Sequence, residues 1–236
     1  MKMHTRTLLV GVSAMFALGT LSACSGGTST EATTTSEATA PTTASAVAAP
    51  FPQSAKYIAD MTAADGKTMT IGIAVDGADV TAYACNGVDD EAWFFGNQTG
   101  GKIDITSRFR DTLNAEFDGT DVEGDLTMNG VAYEFTAAPV AAPAGMYTAE
   151  SDGVRASWVV REDGSAIGVQ FSPTTGQKLE QSDLQQLADD QFRAQVRNTR
   201  RLQQAQQIVR LQNNTFESTI NGKKASPVLV NGNFRF

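Results

Sequence analysis

The stretch IDITSRFRDTLNAEFDGTDVEGDLTMNGVAYEF, residues 103–135, decides the fold of this chain. Apolar and polar residues alternate along it, and the pairs Asp118-Gly119 and Asn129-Gly130 separate the alternating runs. A period of two is the pattern of a strand with one buried face, and Asp-Gly and Asn-Gly favour tight hairpin turns. The stretch therefore predicts consecutive antiparallel hairpins. The residues on the alternating apolar positions are Ile103, Ile105, Leu113, Ala115, Phe117, Val122, Gly124, Leu126, Met128, Val131, Tyr133 and Phe135.

The same pattern extends over residues 53–175, where turn pairs recur between short segments of strand character. We predict a mainly β domain, an antiparallel meander that forms either a small barrel or a two-sheet sandwich. The turn pairs are Asp65-Gly66, Asp76-Gly77, Asn86-Gly87, Gly100-Gly101, Asp118-Gly119, Asn129-Gly130, Asp152-Gly153 and Asp163-Gly164.

Residues 1–23 have the features of a signal peptide. Lys2 and Arg6 form a basic start, and the apolar run LLVGVSAMFAL follows over residues 8–18. This run is shorter than the ~20 residues that a transmembrane helix needs. We therefore predict that residues 1–23 are removed on export.

The tetrapeptide Leu21-Ser22-Ala23-Cys24 resembles the lipobox of bacterial lipoproteins. The resemblance implies that Cys24 becomes the first residue of the mature chain and is acylated, so that the protein is extracytoplasmic and anchored to the cell membrane. Two or three acyl chains hold a protein firmly, whereas one anchors it only weakly. The alternative is a soluble secreted protein that is cleaved after Ala23 and leaves Cys24 as a free thiol.

Residues 24–52 are rich in Ser and Thr and contain no basic residue. Such a segment buries too little apolar surface to offset the entropy of ordering it. We predict a disordered tether between the anchor and the β domain.

The charge balance argues against nucleic acid as a partner. Loss of two of the 18 basic residues with the leader leaves 16, against 26 acidic residues, so the mature net charge is -10. An acidic surface repels phosphates and anionic lipid, so membrane attachment must be covalent, through Cys24. The excess of acids lies in the β domain, whereas residues 176–236 are basic overall, and we predict a separate C-terminal extension there.

The extension is predicted to begin with one long helix over residues 183–212. Ser182 and Gln185 form a capping-box pattern, and no Gly or Pro occurs between Asp183 and Asn213. A helix of this length would be ~45 Å long, so part of it should project from the β domain. We predict that this part binds a second copy or another envelope protein. The alternative is a helix that packs its apolar stripe along the barrel wall. A short β segment, Ser226–Phe236, would follow, with Phe234 and Phe236 on one face.

The segment YACNGVDDEAWFFG, Tyr83–Gly96, resembles a pattern in uncharacterised exported β-rich proteins of actinobacteria such as mycobacteria and nocardiae. The resemblance extends loosely from Tyr57 to Val169. It implies an actinobacterial envelope location and carries no activity to this chain.

The residues that carry most enzyme chemistry are missing from the predicted mature chain. The only histidine, His4, lies in the leader, which excludes a Ser-His-Asp triad and a His-based zinc site. No phosphate-binding loop occurs, and we predict no catalytic residue, metal or cofactor. Cys85 is expected to be a buried core thiol. The acidic run Asp89–Glu91 is expected to be a solvated turn, with a calcium site as the alternative.

These observations favour a non-enzymatic binding or assembly module. One alternative is a carrier of a lipid or another hydrophobic ligand inside the β domain, and another is an envelope hydrolase that uses carboxylates. The four aromatic residues Trp93, Phe94, Phe95 and Trp158 are expected in the core, although they would also suit a ligand cavity. A filled β interior favours the module, and an apolar cavity of several hundred Å³ favours the carrier.

Overall fold

The computed structural model describes residues 50–173 and 185–236, all within one compact unit, Ser45–Phe236. The predicted signal peptide, the predicted acylation residue Cys24, residues 24–49 of the predicted tether and the predicted capping residue Ser182 lie outside the described residues.

Eight antiparallel strands form a closed barrel, in which each strand pairs with the next and the last pairs with the first. The prediction of a mainly β antiparallel meander is therefore confirmed in its class, and the meander closes into a barrel over Ser54–Pro139 rather than over all of 53–175. The strands are β1 (Ser54–Thr62), β2 (Thr68–Asp76), β3 (Asp79–Cys85), β4 (Glu91–Thr99), β5 (Lys102–Thr106), β6 (Thr112–Phe117), β7 (Val122–Met128) and β8 (Val131–Pro139).

The predicted turn pairs all connect consecutive strands, and each contains a glycine with positive φ. In the turn between β7 and β8, Asn129 has φ 51° and Gly130 has φ 78°. Positive φ at both central residues gives a two-residue turn the twist that antiparallel strands need. The turn chemistry thus fixes the register of the meander.

The barrel interior is filled with side chains. Twenty-three buried apolar residues of the described chain form one cluster, to which all eight strands contribute. The alternating residues of the stretch 103–135 point into it, and Leu113, Val122 and Leu126 are fully buried. Close packing of this kind leaves the barrel a core rather than a pore.

Two further sheets follow the barrel. The second sheet has five strands in the order β12-β11-β10-β9-β16, and the third has the order β13-β14-β15. The strands are β9 (Gly145–Ser151), β10 (Val154–Val160), β11 (Ala166–Ser172), β12 (Arg201–Gln204), β13 (Val209–Arg210), β14 (Phe216–Ile220), β15 (Lys223–Ala225) and β16 (Val228–Leu229).

The second sheet covers one side of the barrel wall. Strand β2 is buried on both faces, because Ile71 points into the barrel while Ala74 belongs to the layer between the barrel and the second sheet. A Cβ atom on Gly72 would lie 2.5 Å from Cγ of Met146 in β9, so only glycine permits this close approach. The other face of the second sheet packs on the third sheet around Trp158, which is 1% exposed.

The predicted long helix over 183–212 is wrong for the described part of that range. From residue 185 onward the chain is helical at 185–186, leaves the helix at 187–188, and then forms the α-helix α1 (Asp189–Gln195), a 3-10 turn (Arg197–Thr199), β12 and β13. Strand β12 pairs its main chain with β11, Leu202 opposite Phe171, at a sheet edge that would otherwise stay open. This pairing, together with the β-branched residues Val196 and Thr199, outweighs the helix propensity of the segment. Residues 185–212 therefore form no long projecting helix, and the binding of a second copy or another envelope protein stays a prediction.

The terminal segment Ser226–Phe236 has strand pairing only at β16, where Val228 lies opposite Thr148 and Leu229 opposite Tyr147. The rings of Phe234 and Phe236 are in contact, with centroids 5.2 Å apart. The chain after Leu229 contributes Val230 and Phe234 to the layer between the barrel and the second sheet.

Candidate ligand-binding cleft at the barrel end

One end of the barrel is formed by the turns β1–β2, β3–β4, β5–β6 and β7–β8, and the segment 189–202 packs across it. Asp189 pairs with Arg110 of the β5–β6 turn at 2.7 Å, and the Arg110 guanidinium lies 4.2 Å from the Phe192 ring centroid. At this contact the C-terminal segment supplies the acid and the aromatic ring, and the barrel turn supplies the cation.

A buried ion pair anchors this segment. Nε of Arg197 donates to Oδ1 of Asp111 at 2.8 Å, and each side chain is 2% exposed. Nη2 of Arg197 lies 2.9 Å from Oδ1 of Asp90. Removal of either partner would leave a charge buried without compensation.

The β5–β6 turn holds Asp111 in place. Oγ of Ser107 donates a hydrogen bond to Oδ2 of Asp111 at 3.2 Å. The same oxygen accepts hydrogen bonds from the backbone N–H groups of Phe109 and Asp111. The backbone N–H of Asn129 donates to Oδ1 of Asp111 at 3.0 Å. The carboxylate therefore joins the β5–β6 turn, the β7–β8 turn and Arg197, and it has no freedom to reorient.

Arg200 binds the third turn of this barrel end. Its Nη1 donates to the Glu91 carbonyl oxygen at 2.9 Å, its Nη2 lies 3.3 Å from Oδ1 of Asp90, and its guanidinium stacks 4.3 Å from the Phe109 ring centroid. Burial lowers the pKa of Arg200, and the neighbouring positive charge of Arg197 acts in the same direction. Burial also raises the pKa of Asp90, against the opposing effect of Arg197.

A cleft of about 500 Å³ opens beside these ion pairs. Its floor is apolar and buried, and consists of Met69, Met128 and Tyr133. Thr68, Asn129 and Asn198 also line it, and all three are exposed. The volume lies within the range of small-molecule sites. The remaining lining residues are Lys67, Asn86, Val88, Asp89, Asp90, Val131, Arg197, Arg200 and Leu202.

A second buried ion pair lies between the barrel and the second sheet. Glu91 of β4 pairs with Arg155 of β10, whose guanidinium lies 4.4 Å from the Phe236 ring centroid and 5.1 Å from that of Phe171. Burial raises the pKa of Glu91, and Arg155 opposes this. Glu91 Oε2, Arg155 Nε and Trp93 Nε1 are buried and have no hydrogen-bond partner within the described residues. The pair joins the barrel to the second sheet, and neither of its residues lines the cleft.

The acidic run Asp89–Glu91 does not act as one cluster. Asp89 lies in the cleft lining, Asp90 pairs with Arg197 and Arg200, and Glu91 points to Arg155. The prediction of a solvated turn holds for Asp89 only. Across residues 50–173 and 185–236, no group of three or more His, Cys, Asp or Glu side chains is arranged to hold a metal ion.

The other singled-out residues are core residues. Cys85 is a free thiol and fully buried, as predicted, and burial raises its pKa from 9.0 to about 12. The four aromatic residues lie in three different layers: Phe94 in the barrel, Trp93 and Phe95 in the layer beneath the second sheet, and Trp158 beneath the third sheet. They form no common ligand cavity.

The residues that build the cleft were not predicted from the sequence. Arg197 and Arg200 look like the polar face of a helix, and Asp111 looks like an ordinary turn residue. The available signal was the charge asymmetry, since an acidic body and a basic extension attract each other. Five ion pairs of the described structure follow this rule, Arg197–Asp111, Arg197–Asp90, Arg200–Asp90, Lys223–Asp152 and Arg235–Asp79.

The chain matches no protein-family model, no curated protein and no solved structure. Within the described residues, no helix has the length and apolar character to cross a membrane.

Proposed function

We propose that this protein is a lipid-anchored protein of the cell envelope that acts as a non-enzymatic binding module, with the barrel-end cleft as its ligand site. The sequence LSAC at Leu21–Cys24 supports the anchor, and the Ser- and Thr-rich residues 24–52 support a tether that holds the β domain away from the membrane. The proposal places the protein outside the cytoplasm.

The observation that carries the proposal is the contrast between the barrel interior and the barrel end. Twenty-three buried apolar residues fill the interior, whereas the end carries a cleft of about 500 Å³ with polar side chains at its rim. A carrier would need its ligand where the core side chains lie, so the filled interior favours binding at the surface. The ion pairs of Asp111 and Arg197 hold three turns and the C-terminal segment rigid around the cleft, which lowers the entropy cost of binding.

The proposal is tested by native mass spectrometry of the protein purified from its own membranes. We expect a bound small molecule in the wild type. Val88→Trp, at a cleft residue that is 58% exposed, should fill the cleft and abolish the bound species. Val209→Trp, at a similarly exposed residue in β13, is the matched control and should retain it. Absence of a bound species in the wild type, or its retention in Val88→Trp, would contradict the proposal.

A further inference from the structure

Four of the five charged side chains that line the cleft are paired with an opposite charge within the protein. Lys67 donates to Asp65 at 2.7 Å, Arg197 pairs with Asp111, and Arg200 lies 3.3 Å from Asp90. These three cations are therefore balanced by three carboxylates. The remaining lining charge, Asp89, accepts a hydrogen bond from Nδ2 of Asn86 at 2.9 Å.

This pairing disfavours a charged ligand. An anion would have to displace Asp90 or Asp111 from an arginine, and the buried pairs are held by further hydrogen bonds. A cation would find only Asp89, an exposed carboxylate, beside the positive guanidinium groups of Arg197 and Arg200, and an ion pair at an exposed site contributes little. In both cases the ligand would lose its hydration without gaining a buried, unpaired counter-charge, which costs binding free energy.

The uncharged polar groups at the rim are available to a ligand. The side chains of Thr68, Asn129 and Asn198 have no hydrogen-bond partner within the described part of the chain. A hydroxyl group and two amides both donate and accept. They are set around the apolar floor of Met69, Met128 and Tyr133. The cleft thus combines an apolar base with neutral hydrogen-bonding groups around it.

From this arrangement we infer that the cleft binds a neutral sugar residue, free or at the end of a glycan. A sugar ring has an apolar C–H face, which fits the floor, and hydroxyl groups around its edge, which fit the amides and the hydroxyl at the rim. Hydroxyl groups that both donate and accept match the rim side chains without a charged partner. This inference names the ligand class of the proposed binding site and rests on that proposal.

The test is a titration of the isotope-labelled full mature chain, followed by backbone amide NMR. Glucose and maltotriose are the neutral probes, glucose 6-phosphate is the anionic probe and glucosamine is the cationic probe. We expect a neutral probe to shift the amide signals of the turns at Asn86–Asp90 and Asn129-Gly130, and the charged probes to bind at least about tenfold more weakly, about 1.4 kcal/mol. Tighter binding of maltotriose than of glucose identifies a glycan site, and equal affinity identifies a site for free sugars.

Asn198→Ala should weaken binding of the neutral probe at least about threefold. Gln195→Ala is the matched control, since Gln195 is an exposed amide at the end of α1 and does not line the cleft. Neither side chain has a hydrogen-bond partner within the described residues, so neither substitution should affect folding. The inference is overturned if no neutral probe shifts the cleft amides, or if a charged probe binds as tightly. A charged molecule found by native mass spectrometry would overturn the sugar assignment and leave the binding module standing.

Discussion

Arg197 and Asp111 lie 86 residues apart in the chain and form an ion pair in which both side chains are 2% exposed, with Nε 2.8 Å from Oδ1. This pair joins the C-terminal segment to the barrel end, and its Arg197 lines the candidate cleft. The C-terminal segment is therefore part of the folded body at this point, and the pair is the contact whose loss should matter most.

Arg197→Ala should destabilise the protein by about 3–5 kcal/mol, because it leaves Asp111 buried without its partner. The exposed pair Lys223–Asp152, with side chains 64% and 67% exposed, supplies the control. Lys223→Ala should cost at most about 1 kcal/mol. The free energy of unfolding in urea measures both, and similar small losses in the two variants would show that the buried pair does not hold the barrel end.

The buried thiol of Cys85 should make the stability of the protein depend on alkaline pH. Its pKa is 9.0 ordinarily and about 12 in the folded protein, so the folded state keeps a proton that the unfolded state releases. The stability from this group is complete below pH 9.0 and is lost as the pH rises toward about 12. The loss should reach about 2 kcal/mol at about pH 10.5.

Cys85→Ala removes this dependence, so the difference in unfolding free energy between wild type and variant should change with pH by that amount. In the same wild-type protein, a thiol reagent should react slowly when folded and at once when unfolded. Rapid labelling of the folded protein, or a pH-independent difference between the two proteins, would argue against a shielded thiol.

The uncovered wall of the barrel carries acidic residues directly opposite each other. Asp125 pairs in register with Glu134, and Glu116 with Glu123. Glu134→Lys should raise the free energy of unfolding by about 0.5–1 kcal/mol, since like charges on directly opposite strand positions repel.

The control for this substitution is Ala132→Lys on the same strand and face, opposite Thr127. Glu134→Lys raises the net charge by two and Ala132→Lys raises it by one, but only Glu134→Lys removes a facing pair of acids, so its gain should be more than twice that of Ala132→Lys. The gain should disappear at about 1 M salt, where the screening length falls to ~3 Å. A gain in Glu134→Lys that is no more than twice the gain in Ala132→Lys would assign it to net charge rather than to the pair.

Cys24→Ala should release the protein from the membrane fraction or leave it unprocessed, because the proposed acyl anchor then has no attachment site. Cell fractionation and the mass of the protein give the result. If the variant is processed and fractionates with membranes like the wild type, the anchor proposal is wrong. Cys85→Ala serves as the control for a general effect of cysteine loss.

Much of the barrel could be predicted because its signals are local. Alternation in the stretch 103–135 identifies the inward faces, and the eight turn pairs place the hairpins, since both depend on residues close together in the sequence. The burial of both faces of β2 could not be predicted from local signals. The second face of this strand is covered by a sheet that follows about 70 residues later in the chain.

The structure of the C-terminal segment was predicted wrongly because it depends on residues that are distant in the sequence. Its helical periodicity is a local signal, but β12 forms because the edge of β11 offers main-chain hydrogen bonds to it. The cleft depends likewise on distant pairs, Arg197 with Asp111 and Arg200 with Asp90. Charge asymmetry indicates that body and extension attract, but it does not indicate which arginine meets which aspartate.

Amide hydrogen exchange tests the central claim, that the barrel-end cleft holds a ligand, most directly. The protein purified from its own membranes is compared with the same protein after unfolding in urea, dialysis and refolding, which removes a non-covalent ligand. We predict faster exchange after this treatment at Asn86–Asp90 and Met128–Val131, and unchanged exchange in β14, which lies away from the cleft. Identical exchange at the cleft turns before and after ligand removal would contradict the claim.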